Sequence, residues 1–393
     1  MRWLDCYYRD TWVEVNLQAI ENNIARSKNL FQHDVKVMAI VKANAYGHGA
    51  YEVAKTALQA GAGYLAVAFI DEAIMLREEG IDAPILILGY TRPEDVPVAL
   101  KYQLTLTAFQ TDWLIEAQKF FMDKTDKLHI HIKYDTGMGR IGIASEGEAE
   151  AFLQALKAIP NFIVEGVYTH FATADERETD YFQKQYGRFL SFLEQLEKRQ
   201  IRPTYVHCAN SAAGMRFPDR CFNMIRLGIS MYGLSPSLEI KDELPVPLEE
   251  AFSLKTKIIH VKHVPPGEGI SYGRTYVTKD WEWIATLPIG YADGWLRYHA
   301  ANGGYALVNG KKAPFVGRIC MDQCMIRLPE KAAVGTTVTL IGKDKEEYIS
   351  IDDVAKRLST INYEIPCMIS QRVPRIYFYN NEKISVRNDL CKG

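Results

Sequence analysis

The sequence predicts an α/β protein: a (β/α)8 barrel of the TIM type followed by a mainly β C-terminal domain. Three observations lead there. Between Val35 and Ile229 one unit recurs, a short apolar or β-branched run followed by a segment of helical periodicity. The runs are continuously apolar rather than alternating, as expected of strands buried on both faces of a parallel sheet. After Glu250 the helical segments give way to short β-rich runs and turn signals. The expected division is residues 1–15 as an N-terminal strand pairing back with the C-terminal domain, 16–245 as the barrel and 246–393 as the β domain.

Thr11 to Val15 reads as that early strand, and Asn16 as the N-cap of a helix from Leu17 to Phe31. Eight strand runs follow. They are Val35 to Val41, Tyr64 to Ile70, Pro84 to Leu88, Leu104 to Phe109, Leu128 to Tyr134, Phe162 to His170, Tyr205 to Ala209 and Met224 to Ile229. Helices are expected between them at Tyr51 to Ala60, Asp71 to Glu79, Glu146 to Ala158 and Tyr181 to Gln200. An open doubly wound sheet is the alternative that periodicity alone leaves standing. Ser235 to Glu250, with Pro236, Pro245 and Pro247, reads as a linker. Beyond it Lys257 to Val264, Trp283 to Ile289, Tyr305 to Val308 and Thr337 to Ile341 read as strands, with Asn309-Gly310 as a hairpin turn.

Bulk composition narrows the function. With 393 residues, 48% hydrophobic and a formal net charge of -2, the chain has the makings of a soluble protein with large cores. It carries no basic run that would track a phosphate backbone, so no nucleic-acid partner is expected. No stretch approaches the ~20 apolar residues of a membrane helix. Met1 to Trp12 lacks the apolar core of a secretory signal. The seven cysteines, from Cys6 to Cys391, form no paired framework, which fits a reducing cytoplasm. His129 with His131, and Cys320 with Cys324, lack zinc spacing, so no metal is expected.

The ends of the barrel strands carry the chemistry in such a fold. Lys42 ends strand one, Lys133 lies in strand five ahead of Arg140, His170 ends strand six, Asn210 and Ser211 end strand seven, and Arg226 lies in strand eight. Singly, each has a bland reading as a surface charge or a core ion-pair partner. Together they mark one rim. Gly47 and Gly49 allow close backbone approach to a ligand. The Asn210-Ser211-Ala212-Ala213 and Gly228-Ile229-Ser230 loops offer a hydroxyl and amides where barrels commonly hold phosphate. A lysine beside a phosphate site suggests an aldehyde cofactor held as an imine.

These residues lie in longer motifs: Ala39 to Gly49 (AIVKANAYGHG), Asp135 to Arg140 (DTGMGR), Tyr168 to Phe171 (YTHF), His207 to Ala213 (HCANSAA) and Arg226 to Ile229 (RLGI). Ser271 to Gly273 (SYG), Gly317 to Asp322 (GRICMD) and Ile361 to Glu364 (INYE) follow. In these motifs and their order the chain resembles the alanine racemases over nearly its whole length. The resemblance implies a barrel plus a β domain, a head-to-tail homodimer with active sites shared between subunits, and pyridoxal 5'-phosphate on Lys42. It implies that Tyr46, Ser211, Gly228, Ile229 and Tyr363 hold the phosphate, with Asn210 beside them. His170 would lie beside the pyridine ring and Arg226 would face its nitrogen. Arg140, Met321 and Asp322 would bind substrate, Met321, Asp322 and Tyr272 entering from the other subunit. Lys42 and Tyr272 would be the two bases of L-alanine and D-alanine interconversion, feeding peptidoglycan. Lys133 matches a lysine that is carbamylated in many relatives. Tyr134 and Arg274 stand beside the motifs where smaller or aliphatic residues are more usual. A pyridoxal-phosphate carrier and a basic amino-acid decarboxylase are the rival classes; the β domain with Tyr272 and Tyr363 argues against the first, and the absence of matching cysteine-bearing and acidic motifs against the second.

Overall fold

The structure, a computed structural model, describes residues 7–32 and 34–391. Met1 to Cys6, His33 and the last two residues lie outside them, and with them half of the N-terminal stretch read above for a targeting signal, and Cys6. The described chain forms two compact units, one of residues 20–45 and 50–249, the other of 7–19, Tyr46–Gly49 and 250–391.

The first unit is a barrel. Its strands are β2 (Lys36–Ile40), β3 (Tyr64–Val67), β4 (Ile85–Ile87), β5 (Thr105–Ala108), β6 (Leu128–Lys133), β7 (Phe162–Tyr168), β8 (Tyr205–His207) and β9 (Met224–Leu227). Each pairs in parallel with its sequence neighbour from β2 to β8, and β9 returns to β2 with Met38 opposite Arg226. That order is a barrel's and excludes the open sheet. The seam between β8 and β9 is closed by other means: Arg226 N donates to Ala209 O at 3.0 Å, and the Asn223 side chain joins Val206 N and Thr204 O.

The strands are about as short as the apolar runs, and the helices fall between them. The helix Leu17–Lys28 starts at Asn16, whose side chain accepts from Ala19 N at 3.1 Å. It buries Ala19, Ile20, Asn23, Ile24 and Ser27, one helical face. Burying Ile20 or Ile24 fully contributes about 1.5–3 kcal/mol each. Glu146–Ala158 is capped by Ser145, and Asp180–Lys198 presents Phe182, Phe189, Phe192 and Leu196 to the core.

The second unit is mostly β. Its main sheet has eight strands, and at its centre β1 (Thr11–Asn16) lies antiparallel to β10 (Phe252–Lys257) and parallel to Arg375–Tyr379. The expected strand from Lys257 to Val264 is two: β10 ends at Lys257, and His260–Val264 joins a separate three-stranded sheet. Phe252-Ser253-Leu254-Lys255 alternates buried and half-buried, a half-exposed strand that a search for continuous apolar runs passes over. The Asn309-Gly310 turn does join Tyr305–Val308 to Lys311–Pro314, with both turn residues at positive φ.

Candidate active site

Lys42 lies two residues beyond the end of β2, at the head of an unusual turn. Ala43, Asn44, Ala45 and Tyr46 all have φ between 51° and 53°, a single turn of left-handed helix without glycine. Such backbone costs roughly 1–2 kcal/mol per residue. The hydrogen bonds that hold it include Ala43 N to Glu72 Oε1 at 2.6 Å, Ala45 N to Val41 O at 2.9 Å, and Ala50 N to Asn44 Oδ1 at 2.8 Å. Strain kept in place by its surroundings is a common mark of a functional site.

Gly47 and Gly49 are required for close packing within the protein. A side chain at Gly47 would sit 2.0 Å from Pro366 O, and one at Gly49 1.8 Å from the Tyr377 hydroxyl. The space they leave is filled by the protein itself, and Arg375 donates to Gly47 O.

On the barrel rim the cationic residues converge electrostatically on His170, two residues past β7. Burial first, then Arg226, Arg140, Lys133 and Lys42, hold its imidazole well below the ordinary range. His170 is therefore neutral at pH 7. Arg226, in β9, is 4% exposed and its guanidinium is surrounded by acceptors. It donates to the carbonyls of Thr169, His207 and Cys208 and to Nδ1 of both His207 (3.0 Å) and His170 (3.1 Å). Lys133 ends β6 at 3% exposure, and burial, then Arg140 and Arg226, push its amine down to about 7. Arg140 is exposed and shares a cavity of about 750 Å³ with Tyr90, Phe109, Gln110 and Trp113. Its loop is shaped by Asp135, whose carboxylate accepts from Gly137, Met138 and Gly139. Tyr134 stacks on Phe192 at 4.2 Å, so its ring belongs to the core.

Asn210 and Ser211 are beyond β8 rather than in it. Asn210 caps the short helix Ser211–Arg216, and Ser211 Oγ accepts from Gly228 N at 3.0 Å, tying this loop to the one after β9. Next to it the Ser230 hydroxyl is buried without a hydrogen-bond partner.

The remaining expected residues belong to the second unit. Tyr46 and Tyr363 stand side by side with ring centroids 6.1 Å apart. Tyr272 and Met321 are exposed, at 72% and 53%, and Asp322 is held by Arg372 at 2.8 Å. Ser271, at φ 67°, donates to Arg318 O and so links the two loops that carry Tyr272 and Met321.

The structure gives parts to residues that were assigned no role in the motifs. Tyr168 stacks flat on His207 at 4.8 Å, with the Lys133 and Arg226 cations over its ring at 5.6 and 5.2 Å. His131, weighed above only as a metal ligand, points into the barrel and meets His207 at 2.9 Å. Among the described residues no cluster of three or more His, Cys, Asp or Glu could hold a metal, and no helix is long and apolar enough to cross a membrane.

Residues 15–236 match the alanine racemase N-terminal domain family and residues 251–377 the alanine racemase C-terminal domain family. The chain belongs to the alanine racemases. It is 57% identical over 388 residues to the alanine racemase of Halalkalibacterium halodurans, covering 98% of this chain and all of that protein. The alanine racemase of Geobacillus stearothermophilus is 56% identical, with 98% of each chain covered. The crystal structure of the Bacillus anthracis alanine racemase with bound L-Ala-P superposes with a TM-score of 0.95 at 54% identity, covering 98% of this chain and 99% of that one. A histidine racemase from Leuconostoc mesenteroides subsp. sake also superposes, with a TM-score of 0.87 at 31% identity, covering 95% of this chain and all of that one. Membership in the alanine racemases makes the chain an isomerase, and the histidine racemase shows that the fold alone does not dictate the substrate's side chain.

Proposed function

We propose that this alanine racemase family member interconverts L-alanine and D-alanine, with pyridoxal 5'-phosphate held on Lys42. The observation that carries the reading is the buried Arg226 guanidinium, 3.1 Å from the His170 imidazole at the barrel rim, on which the charges of Arg140 and Lys42 also act. Such a field suits a ligand with a phosphate and a substrate with an α-carboxylate. The donor set fits as well. The unpartnered Ser230 hydroxyl, beside Ser211 Oγ and the Gly228 amide, leaves hydrogen-bonding capacity where a phosphate would lie. Asn210, Ser211, Gly228 and Ile229 would form that cradle, and Tyr46 and Tyr363 would complete it.

Positioned acid-base groups alone supply ~10²- to 10⁴-fold acceleration, short of the ~10⁶-fold or more that enzymes provide. When bound, pyridoxal phosphate supplies the electron sink that makes the Cα proton removable. Lys42 takes or returns that proton on one face of Cα. Tyr272 of the partner subunit does so on the other, in a homodimer whose active sites are shared. Arg140 orients the substrate carboxylate. Arg226 would face the pyridine nitrogen with a charge that disfavours its protonation, and His170 would lie beside the ring. Met321 and Asp322 of the partner subunit bound the substrate and favour a small side chain. The chain works in the cytoplasm, and its D-alanine supplies peptidoglycan.

L-Alanine incubated with the protein and pyridoxal phosphate in heavy water tests this. D-Alanine deuterated at Cα is expected, and none from Lys42→Ala. No exchange with the unaltered protein, or full activity in Lys42→Ala, rejects the reading.

A further inference from the structure

Arg226 is a buried cation with no carboxylate against it among the described residues. Its acceptors are three carbonyls and two imidazoles, yet a buried charge is ordinarily balanced by an opposite one. Following the imidazoles leads to that balance. His207 Nδ1 faces Arg226 at 3.0 Å, and its Nε2 lies 2.9 Å from His131 Nδ1. The other nitrogen of His131, Nε2, is 3.4 Å from Glu165 Oε2, a charge contact without hydrogen-bond geometry. Tyr64 OH, at 2.8 Å, and Thr105 Oγ1, at 3.2 Å, donate to the same carboxylate oxygen.

The protons along this chain are fixed by valence. A guanidinium can only donate, so His207 Nδ1 accepts. A neutral imidazole carries one N–H, so His207 holds its proton on Nε2 and gives it to His131 Nδ1. His131 then holds its own proton on Nε2, toward Glu165. Both rings are fully buried, and burial pushes both well or measurably below the ordinary imidazole range, which keeps them neutral. Burial works against a charged Glu165, but the nearby His131 ring and the Tyr64 hydrogen bond outweigh it and bring the carboxyl down to about 2.

The backbone is built for this contact. In the β6 and β7 pairing Ile130 lies opposite Val164 and His131 opposite Gly166, so Glu165 is an extra residue in a β-bulge. A bulge re-aims a side chain. A Cβ on Gly166 would come within 2.5 Å of the His131 ring, so only glycine leaves that ring its place.

We infer that Glu165 is a positioning residue: through His131 and His207 it keeps the proton of His207 turned away from Arg226, and thereby holds the Arg226 guanidinium charged and aimed at the rim. Arg226 and Glu165 form an ion pair spread over two neutral imidazoles. The functional consequence rests on the proposal that Arg226 faces the bound cofactor.

The test uses the full-length protein labelled with ¹⁵N in histidine, read by NMR, with pyridoxal phosphate binding measured by its visible absorption. In the unaltered protein His207 and His131 are each expected to be protonated on Nε2 only. In Glu165→Gln, whose amide can donate as well as accept, His207 is expected to populate the Nδ1-protonated form. Its cofactor affinity should fall by about tenfold, the equivalent of roughly one hydrogen bond to a charged group. Glu165→Asp, which keeps the charge, should retain the unaltered tautomer. Protonation of His207 on Nδ1 in the unaltered protein overturns the inference and requires no variant to fold. So does a Glu165→Gln protein with unchanged tautomers, whatever its affinity. Unaltered protein with the expected tautomers that binds no pyridoxal phosphate leaves the relay standing and removes the functional reading.

Discussion

Arg226 donates to Nδ1 of His170 at 3.1 Å, so the proton of that neutral imidazole must lie on Nε2. The same guanidinium meets Nδ1 of His207, whose proton position is governed jointly with Glu165 through His131. Arg226 thus faces two histidines, one inside the barrel and one on its rim.

Replacing Arg226 with Glu should therefore act twice. The two histidines can turn a proton toward the new carboxylate, but the carbonyls of Thr169, His207 and Cys208 lose the guanidinium's hydrogen bonds, the His207 carbonyl keeping one from Thr169 N. A loss of ~3–5 kcal/mol is expected for an uncompensated buried site, read as a lowered thermal midpoint. An acidic group facing the pyridine nitrogen would favour its protonation and strengthen the electron sink, so pyruvate formed per racemisation event should rise. An unchanged ratio of pyruvate to D-alanine would remove the role given to Arg226.

Lys133 should take up carbon dioxide. Its amine is pushed down from 10.5 to about 7, chiefly by burial, so at neutral pH much of it is uncharged and nucleophilic. A carbamate signal is expected with ¹³C-bicarbonate, fading as pH falls below about 7 and absent in Lys133→Ala. The sign for stability follows from the same shift. Between the folded value near 7 and the unfolded value of 10.5 the unfolded chain binds the extra proton, so this group's contribution to stability rises with pH across that window. A stability that falls with pH there, once Lys133→Ala is subtracted, would contradict the burial of a neutral amine.

The left-handed turn after Lys42 gives a prediction opposite to the usual rule for glycine. Ala43 is exposed at φ 52°, where alanine is strained and glycine is not. Ala43→Gly should stabilise the protein by up to ~1 kcal/mol after the unfolded-state entropy of glycine is counted. A lower denaturation midpoint would mean that the turn is relaxed.

Gly47→Ala should do the reverse. Its Cβ would lie 2.0 Å from Pro366 O, a backbone atom that cannot swing aside, at a φ of +82°. At least ~2 kcal/mol of destabilisation is expected, measured by urea unfolding, and a neutral result would show that the backbone there yields.

Much of the barrel was legible because its strands are continuous apolar runs between periodic helices, and that pattern depends only on local sequence. Lys42, His170 and Arg226 could be placed near strand ends for the same reason. What was not legible depended on contacts distant in sequence. Glu165 and Gly166 fall unmarked inside the Phe162 to His170 run, because a bulge is defined by the register of the partner strand. His131 alternates with His129 at a spacing of two, which puts one inward and one outward; that was the available signal that it belongs to the barrel interior. Gly47 and Gly49 were read toward a ligand, since nothing local announces that Pro366 and Tyr377 come to fill their space. Phe252 to Lys257 escaped because its alternation is that of a half-exposed strand.

The central claim is that two bases work on opposite faces of Cα, Lys42 on one and Tyr272 of the partner subunit on the other. Tyr272→Phe, given L-alanine and D-alanine separately in heavy water, tests it most directly. Cα exchange should persist for one enantiomer, the one whose proton Lys42 removes, while inversion of both falls by ~10²- to 10⁴-fold. Inversion at the unaltered rate, or equal retention of exchange with both enantiomers, would contradict the account.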